Sequence, residues 1–227
     1  MTPARRRAPV VGLVGGIGSG KSQVAAALAK RGGRVVAGDP LGHAALRQPD
    51  IRDRVVARWG PGVLDAAGQV DRRKLGAVVF ADPAERQALE AIVQPWIGRR
   101  LREEIRAAQR DPAVAFVVLD AAVMLEAGWE SACDLLVYVH APRATRLQRV
   151  AGQRGWSAAE AAARERAQWP LTVKAARADV ALDNSGPPAD LEPQLDALLA
   201  RLGVAGRPAG APSGPPCYDE VTAKADR

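Results

Sequence analysis

The sequence predicts an α/β fold: a five-stranded parallel sheet flanked by helices, with a helical insertion between the second and third strands. Three observations carry this. Short apolar runs alternate with helical patterns along the chain, the arrangement that buries a parallel sheet between two layers of helix. A glycine-rich stretch separates the first apolar run from the first helical pattern. The roughly 75 residues between the second and third runs are too many for one crossover, and their patterning is helical.

In chain order, residues 10–14 (V-V-G-L-V) form the first strand, ended by Gly15 and Gly16, and residues 21–30 carry an alanine-rich helical pattern. Residues 34–37 read as the second strand, 114–119 as the third, 135–139 as the fourth and 180–182 as a short fifth. Within the insertion, placed at about residues 40–112, the longest helical pattern covers residues 82–110 with Pro95 inside it. A basic tail is expected at 1–8, the folded body at 9–204, and a disordered tail at 205–227. That last stretch, rich in Pro and Gly, cannot bury enough apolar area to offset its ordering entropy.

With 227 residues, 48% of them apolar, the chain can bury one core and a small inserted subdomain. Its formal charge is +7, and only Lys21, Lys30, Lys74, Lys174 and Lys224 are lysines, so the excess is carried by arginine. A guanidinium suits phosphates and nucleic-acid backbones alike. A codon bias towards G and C explains the same excess without function. Cys133 and Cys217 lie far apart with no metal-ligand spacing, which points away from a disulfide framework or zinc site and towards a reducing cytoplasm. The basic start lacks the pattern of a signal peptide, and no apolar stretch reaches the length of a membrane span. No membrane partner is therefore expected.

Residues 15–22 read G-G-I-G-S-G-K-S and complete the phosphate-binding P-loop pattern between a strand and a helix. In such a loop the backbone N–H groups point at phosphate oxygens, and the helix N-terminus adds its positive end. Gly15, Gly18 and Gly20 supply the backbone freedom. Gly16, Ile17, Gly18, Ser19, Gly20, Lys21 and Ser22 are thus candidate ATP-binding residues, with Gln23 following. Lys21 would reach the β- and γ-phosphates, and the Ser22 hydroxyl would ligate Mg²⁺. The D-x-x-G strings at 65–68 and 183–186 do not make a GTPase, because no N-K-x-D guanine motif accompanies them.

Three acidic positions carry two readings each. Asp39, just beyond the second strand, is placed either to orient an acceptor hydroxyl or to cap the helix entered at Pro40. Asp120, ending the third strand, either holds magnesium through water or caps the next helix. The run from Asp71 to Lys74 either binds phosphate or is a solvated helix start with Asp71 as its cap.

Beyond these motifs the chain, from about residue 10 to 202, resembles the dephospho-CoA kinases. The glycine loop stands complete, with Gln23 where Thr is usual. The family's D-A-D after the second strand is Ala37-Gly38-Asp39, followed by His43. The insertion's H-P pair is Gln94-Pro95, and the P-L-L-F-E segment is residues 122–126, ending at Glu126. Leu147-Gln148-Arg149, then R-x-x-x-Q-x-P-L-x-x-K at 164–174, Ala178-Asp179 and residues 183–186 follow in order.

The resemblance implies a P-loop NTPase fold of the nucleotide-kinase type, a substrate-binding insertion and a helical lid at about 143–178. It also implies ATP-dependent phosphorylation of the ribose 3′-hydroxyl of dephospho-CoA, with Mg²⁺, giving coenzyme A and ADP in the last step of coenzyme A biosynthesis. By that likeness Asp39, Lys21 and Arg149 are catalytic. Arg149, Arg154 and Arg164 belong to the lid over the ATP phosphates, with Gln153 where a lid arginine is usual; for each arginine a surface salt bridge is the alternative. Asn184 falls near the adenine, or else forms an Asx-type turn before Gly186. His43, Glu126 and Gln94 fall on the substrate side. The partners expected are ATP and dephospho-CoA, with the chain a monomer or weak homo-oligomer. A nucleoside or nucleoside-monophosphate kinase is the alternative enzyme. A nucleic-acid-binding P-loop regulator is the alternative from charge, although no aromatic-interleaved basic motif accompanies it.

Overall fold

A computed structural model describes residues 7–79 and 81–204. The tail expected at 205–227 and residues 1–6 lie outside the described residues. The chain forms two compact units: Met1–Ala37 with Glu104–Arg227, and Gly38–Glu103.

The first unit holds the sheet. Strands β1 (Val10–Gly15), β2 (Gly33–Ala37), β3 (Phe116–Asp120), β4 (Leu135–His140) and β5 (Val180–Asp183) pair in the order β2-β3-β1-β4-β5. All pairings are parallel, as the apolar runs predict. β1 is buried at every residue because it is the central strand, covered on both faces. Gly12 has no room for a side chain there: a Cβ would lie 2.6 Å from Cys133 Sγ and 2.8 Å from Met124 Sδ. Burial, then the charges of Asp134 and Glu130, push the Cys133 thiol up to about 12, so it is a packing group rather than a nucleophile. β3 starts two residues later than expected, because Asp111 holds the preceding segment in a turn. Its Oδ1 accepts from Ala113 N at 2.9 Å and its carbonyl from Val114 N at 3.2 Å.

Helices α1 (Lys21–Ala29) and α9 (Glu192–Arg201) cover one face, where Val24, Leu28, Leu195, Leu198 and Leu199 pack with Val11, Leu13, Val118, Val137 and Val139. Buried Arg31 ties the two helices through Glu192 and Asp196. Helices α6 (Arg143–Arg154), α7 (Ala158–Arg166) and α8 (Leu171–Arg177) follow β4. Residues 7 and 8, assigned above to the tail, are tied down. Arg7 makes a bidentate pair with Asp134 at 2.6 and 2.9 Å, and Ala8 is buried.

The second unit is helical: α2 (Gly38–Ala45), α3 (Pro49–Trp59), α4 (Arg72–Val79) and most of α5 (Pro83–Arg110), with Leu41, Ile51, Val55, Leu75, Val79, Ile97 and Leu101 buried. Asp71 caps α4, its Oδ1 accepting from Arg73 N at 2.9 Å and Lys74 N at 3.1 Å; these bonds lower its pKa, Lys74's the most. That decides between the two readings of the 71–74 run in favour of the helix cap. Among the described residues no helix is long and apolar enough to cross a membrane.

Candidate active site

Parallel strands deliver their C-terminal ends to one edge of the sheet, and the ligand-binding loops of such folds lie beyond that edge. Gly15 ends β1 there, beside Val139 of β4, while Leu13 and Ala37 both pair with Asp120 at the end of β3. The glycine loop then runs into α1.

The loop needs its glycines for two separate reasons. Gly18 and Gly20 have φ of 74° and 88°, a region that L side chains rarely adopt. They are also crowded: a Cβ on Gly18 would meet the Arg146 carbonyl at 2.4 Å, and one on Gly20 would meet Asn184 Nδ2 at 2.2 Å. Ser19 N–H closes the turn onto the Gly16 carbonyl at 3.1 Å. Lys21 folds back over the loop, its Nζ donating to the Gly15 and Gly16 carbonyls at 3.1 and 3.2 Å. The ammonium therefore sits at the loop, where phosphate oxygens would compete with those carbonyls for its protons.

Ser22 Oγ donates to Asp120 Oδ2 at 2.9 Å. This favours the metal-side reading of Asp120, since its carboxylate meets the P-loop hydroxyl at the end of β3. Two hard oxygen donors side by side fit Mg²⁺, which binds through one or two protein oxygens and takes its other ligands from water and phosphate. Among the described residues no group of three or more His, Cys, Asp or Glu forms a dedicated metal cage.

Outside the loop, three side chains hold its carbonyls. Asn184, buried, donates from Nδ2 to Ser19 O at 2.9 Å and more distantly to Gln23 Oε1 at 3.4 Å. Arg149 spans Ser19 O at 3.3 Å and Asn184 O at 2.8 Å. Arg146, one helical turn earlier and also buried, donates from Nη1 to Ile17 O at 3.1 Å and pairs with Glu165 of α7. The Asx-type turn is built by Asp183, not Asn184: its Oδ1 accepts from Ser185 N at 3.0 Å and from the Ser185 hydroxyl. The hydroxyl bond is the main cause lowering the Asp183 pKa.

The other two arginines expected in a lid meet an aromatic ring. Arg154 and Arg164 flank the Trp156 ring, with guanidinium carbons 4.9 and 4.0 Å from its centroid. Glu126 is drawn into an internal pair. Its Oε1 accepts from Trp169 N at 2.7 Å and lies 3.0 Å from Nζ of Lys174, a lysine only 2% exposed that also donates to Gln168 Oε1 at 3.0 Å. This ties the entry of α8 to the segment after β3.

In the second unit, Asp39 lies in the first turn of α2, which begins at Gly38 rather than Pro40; it is an exposed member of the helix, not the residue preceding it. His43 follows one turn later. Partial burial, then Arg72 and Arg47, lower its pKa below 6.5, against the opposing pull of Asp39. Gln94 sits half-buried in mid-α5, next to Pro95.

Arg146, Glu165, Lys174 and Trp156 were not singled out as site residues by the sequence. For Arg146 a signal existed: Arg146 and Arg149 are spaced i, i+3 on one helix and so face the same way. For Glu165 the partner lies 19 residues away on another helix. Lys174 closes the motif string at 164–174, but nothing in that string announces its pairing with Glu126.

A five-stranded parallel sheet whose central strand runs into a glycine loop, with Lys21 and Ser22 at the following helix and arginines from a later helix against the loop, defines a P-loop phosphotransferase. The sequence profile described as dephospho-CoA kinase matches residues 9–190, and the chain belongs to that family. A dephospho-CoA kinase of Anaeromyxobacter dehalogenans is 43% identical over 209 residues, covering 91% of this chain and 98% of that one. One from Geobacillus kaustophilus is 38% identical, covering 83% and 94%. A crystal structure from Thermus thermophilus superposes with a TM-score of 0.74 at 38% identity, over 87% of this chain and 99% of that one. A dephospho-CoA kinase structure from Campylobacter jejuni, at 21% identity and a TM-score of 0.60 over 85% and 96%, shares the fold.

Proposed function

We propose that this kinase, in phosphorylating the ribose 3′-hydroxyl of dephospho-CoA from ATP, divides the work between its P-loop and Asp39. The phosphoryl-transfer half rests on one observation: Lys21, Ser22 and Asp120 converge where β1 and β3 end. The acceptor rests on family membership.

The N–H groups of residues 16–22 bind the ATP phosphates, and Lys21 neutralises charge on the β- and γ-groups. Ser22 and Asp120 are the residues that would hold Mg²⁺. When bound, the ion screens the phosphate oxygens and orients them for transfer. Asp39 accepts the proton of the 3′-hydroxyl as that oxygen bonds to the γ-phosphorus and the bond to the β-phosphate oxygen breaks, releasing ADP. Arg149 stabilises charge on the moving group, with Arg154 and Arg164 recruited from Trp156. Asn184 and Gln23 lie on the nucleotide side, and His43 and Gln94 serve the acceptor side, whereas Glu126 is committed to Trp169 N and Lys174. The setting proposed is the cytoplasm.

The test is a panel of acceptors with labelled ATP and Mg²⁺: dephospho-CoA, nucleosides and nucleoside monophosphates. Dephospho-CoA is expected to be preferred by at least about 10²-fold in kcat/KM, as for a site built to hydrogen-bond its substrate. Preference for a nucleoside monophosphate would replace this reading with the alternative kinase.

A further inference from the structure

The two contacts of Arg146 have a directional consequence. In a trans peptide the C=O and the following N–H point in opposite directions. A donor that holds the Ile17 carbonyl on the α6 side therefore turns the Gly18 N–H to the other side. The same logic applies one peptide later, where Asn184 and Arg149 hold the Ser19 carbonyl and so aim the Gly20 N–H. Alternate peptides of the loop are thus held from outside by side chains distant in sequence.

Arg146 is the least replaceable of these supports. It is 5% exposed, and the loop lies directly on it: a Cβ on Gly16 would come within 2.8 Å of its Nη1, and one on Gly18 within 2.4 Å of its carbonyl oxygen. Both of its polar contacts, to Ile17 O and to Glu165, are made through Nη1, whereas Nε is buried without a partner among the described residues. A buried guanidinium with Nε left unbonded is costly to keep, so its retention points to what its position supplies. Here the position is the loop carbonyl, and the counter-charge comes from α7.

We propose that Arg146, held by Glu165, is a positioning residue that presets the Ile17–Gly18 peptide for phosphate binding and links α7 to the glycine loop. Arg146 acts through the loop and does not itself touch the transferred group. Because a preset N–H serves ATP in the ground state and the transition state alike, its loss falls on nucleotide affinity rather than on turnover. The inference rests on the P-loop holding a nucleotide and is independent of which acceptor is used.

The experiment measures ADP affinity by calorimetry, together with KM for ATP, KM for dephospho-CoA and kcat, in wild type, Arg146→Met, Arg146→Lys and Glu165→Gln. Arg146→Met is expected to weaken ADP and raise KM for ATP about tenfold, leaving KM for dephospho-CoA within about twofold and kcat within about threefold. Arg146→Lys returns most of the loss, since one ammonium can serve the two acceptors that Nη1 serves. Glu165→Gln weakens ADP about threefold, and it carries the test if Arg146→Met does not fold. Wild-type ADP affinity in folded Arg146→Met, or in Glu165→Gln in its place, would overturn the proposal. So would a loss in Arg146→Met spread equally over both substrates and not restored by lysine. A wild-type enzyme that binds ADP but ignores dephospho-CoA would instead overturn the acceptor assignment and leave this proposal standing.

Discussion

The sheet-bearing unit and the helical unit hold their candidate residues in opposite ways. Around the glycine loop, Lys21, Arg146, Arg149 and Asn184 are all committed to backbone carbonyls, and Arg146 and Asn184 are buried. In the helical unit, Asp39 and His43 are exposed on one short helix. The lesson is that nucleotide binding is prepaid in the fold, because ordering the loop happens once, on folding, rather than at each binding event. On the function proposed above, the acceptor side would rely instead on exposed side chains of α2.

The sharpest way to break this contrast is Lys21→Ala. It should lower kcat/KM by about 10³-fold with little change in melting temperature, because the half-buried ammonium stabilises charge in the reaction rather than the fold. A loss under tenfold would remove Lys21 from the chemistry. Glu126→Ala tests the preset side through stability. It leaves the buried Lys174 without its counter-charge and is expected to cost about 3 kcal/mol in denaturant unfolding, whereas Glu126→Leu with Lys174→Met should recover most of it. A single variant as stable as wild type would show that Glu126 is free for substrate.

On the acceptor side, Asp39→Asn should reduce kcat by about 10²-fold while KM for ATP and melting temperature stay unchanged, as expected of an exposed carboxylate. Unchanged kcat would remove it from catalysis. The smallest effect concerns His43. Its folded pKa is lowered, so the neutral form is the one the fold favours. That contribution is complete above about 6.5 and is lost as pH falls from there through the lower folded value. Between pH 7 and pH 5, wild type should therefore lose more melting temperature than His43→Gln, by at most about 2 °C. Equal losses would show that the surroundings of His43 do not disfavour its charge.

Much of the fold was legible because it depends on local pattern. Each of the five apolar runs became a strand, and Gly18 and Gly20 take the positive φ that the motif demands. Errors fell where a side chain competes with the pattern: Asp111 delays β3, and α2 begins before Pro40 rather than at it. In the site, Ser22 and Asp120, both expected on the metal side, meet in a hydrogen bond because each stands at a strand or loop end that the sheet brings to one edge. Arg154 and Arg164 were expected in a lid over the phosphates, whereas their resting place on Trp156 depends on how α6 and α7 meet.

By itself the sequence determined the phosphate loop, the parallel sheet and the family, because each is written in short contiguous strings whose chemistry is local: glycines for positive φ, a lysine and serine at a helix start, apolar runs for buried strands. Only the tertiary structure decided what holds that loop in shape. Ile17 and Ser19 offer carbonyls that any sequence would offer. Their partners, Arg146 and Asn184, lie 129 and 165 residues away and reach them only because β4 and β5 carry the following segments to the same edge of the sheet.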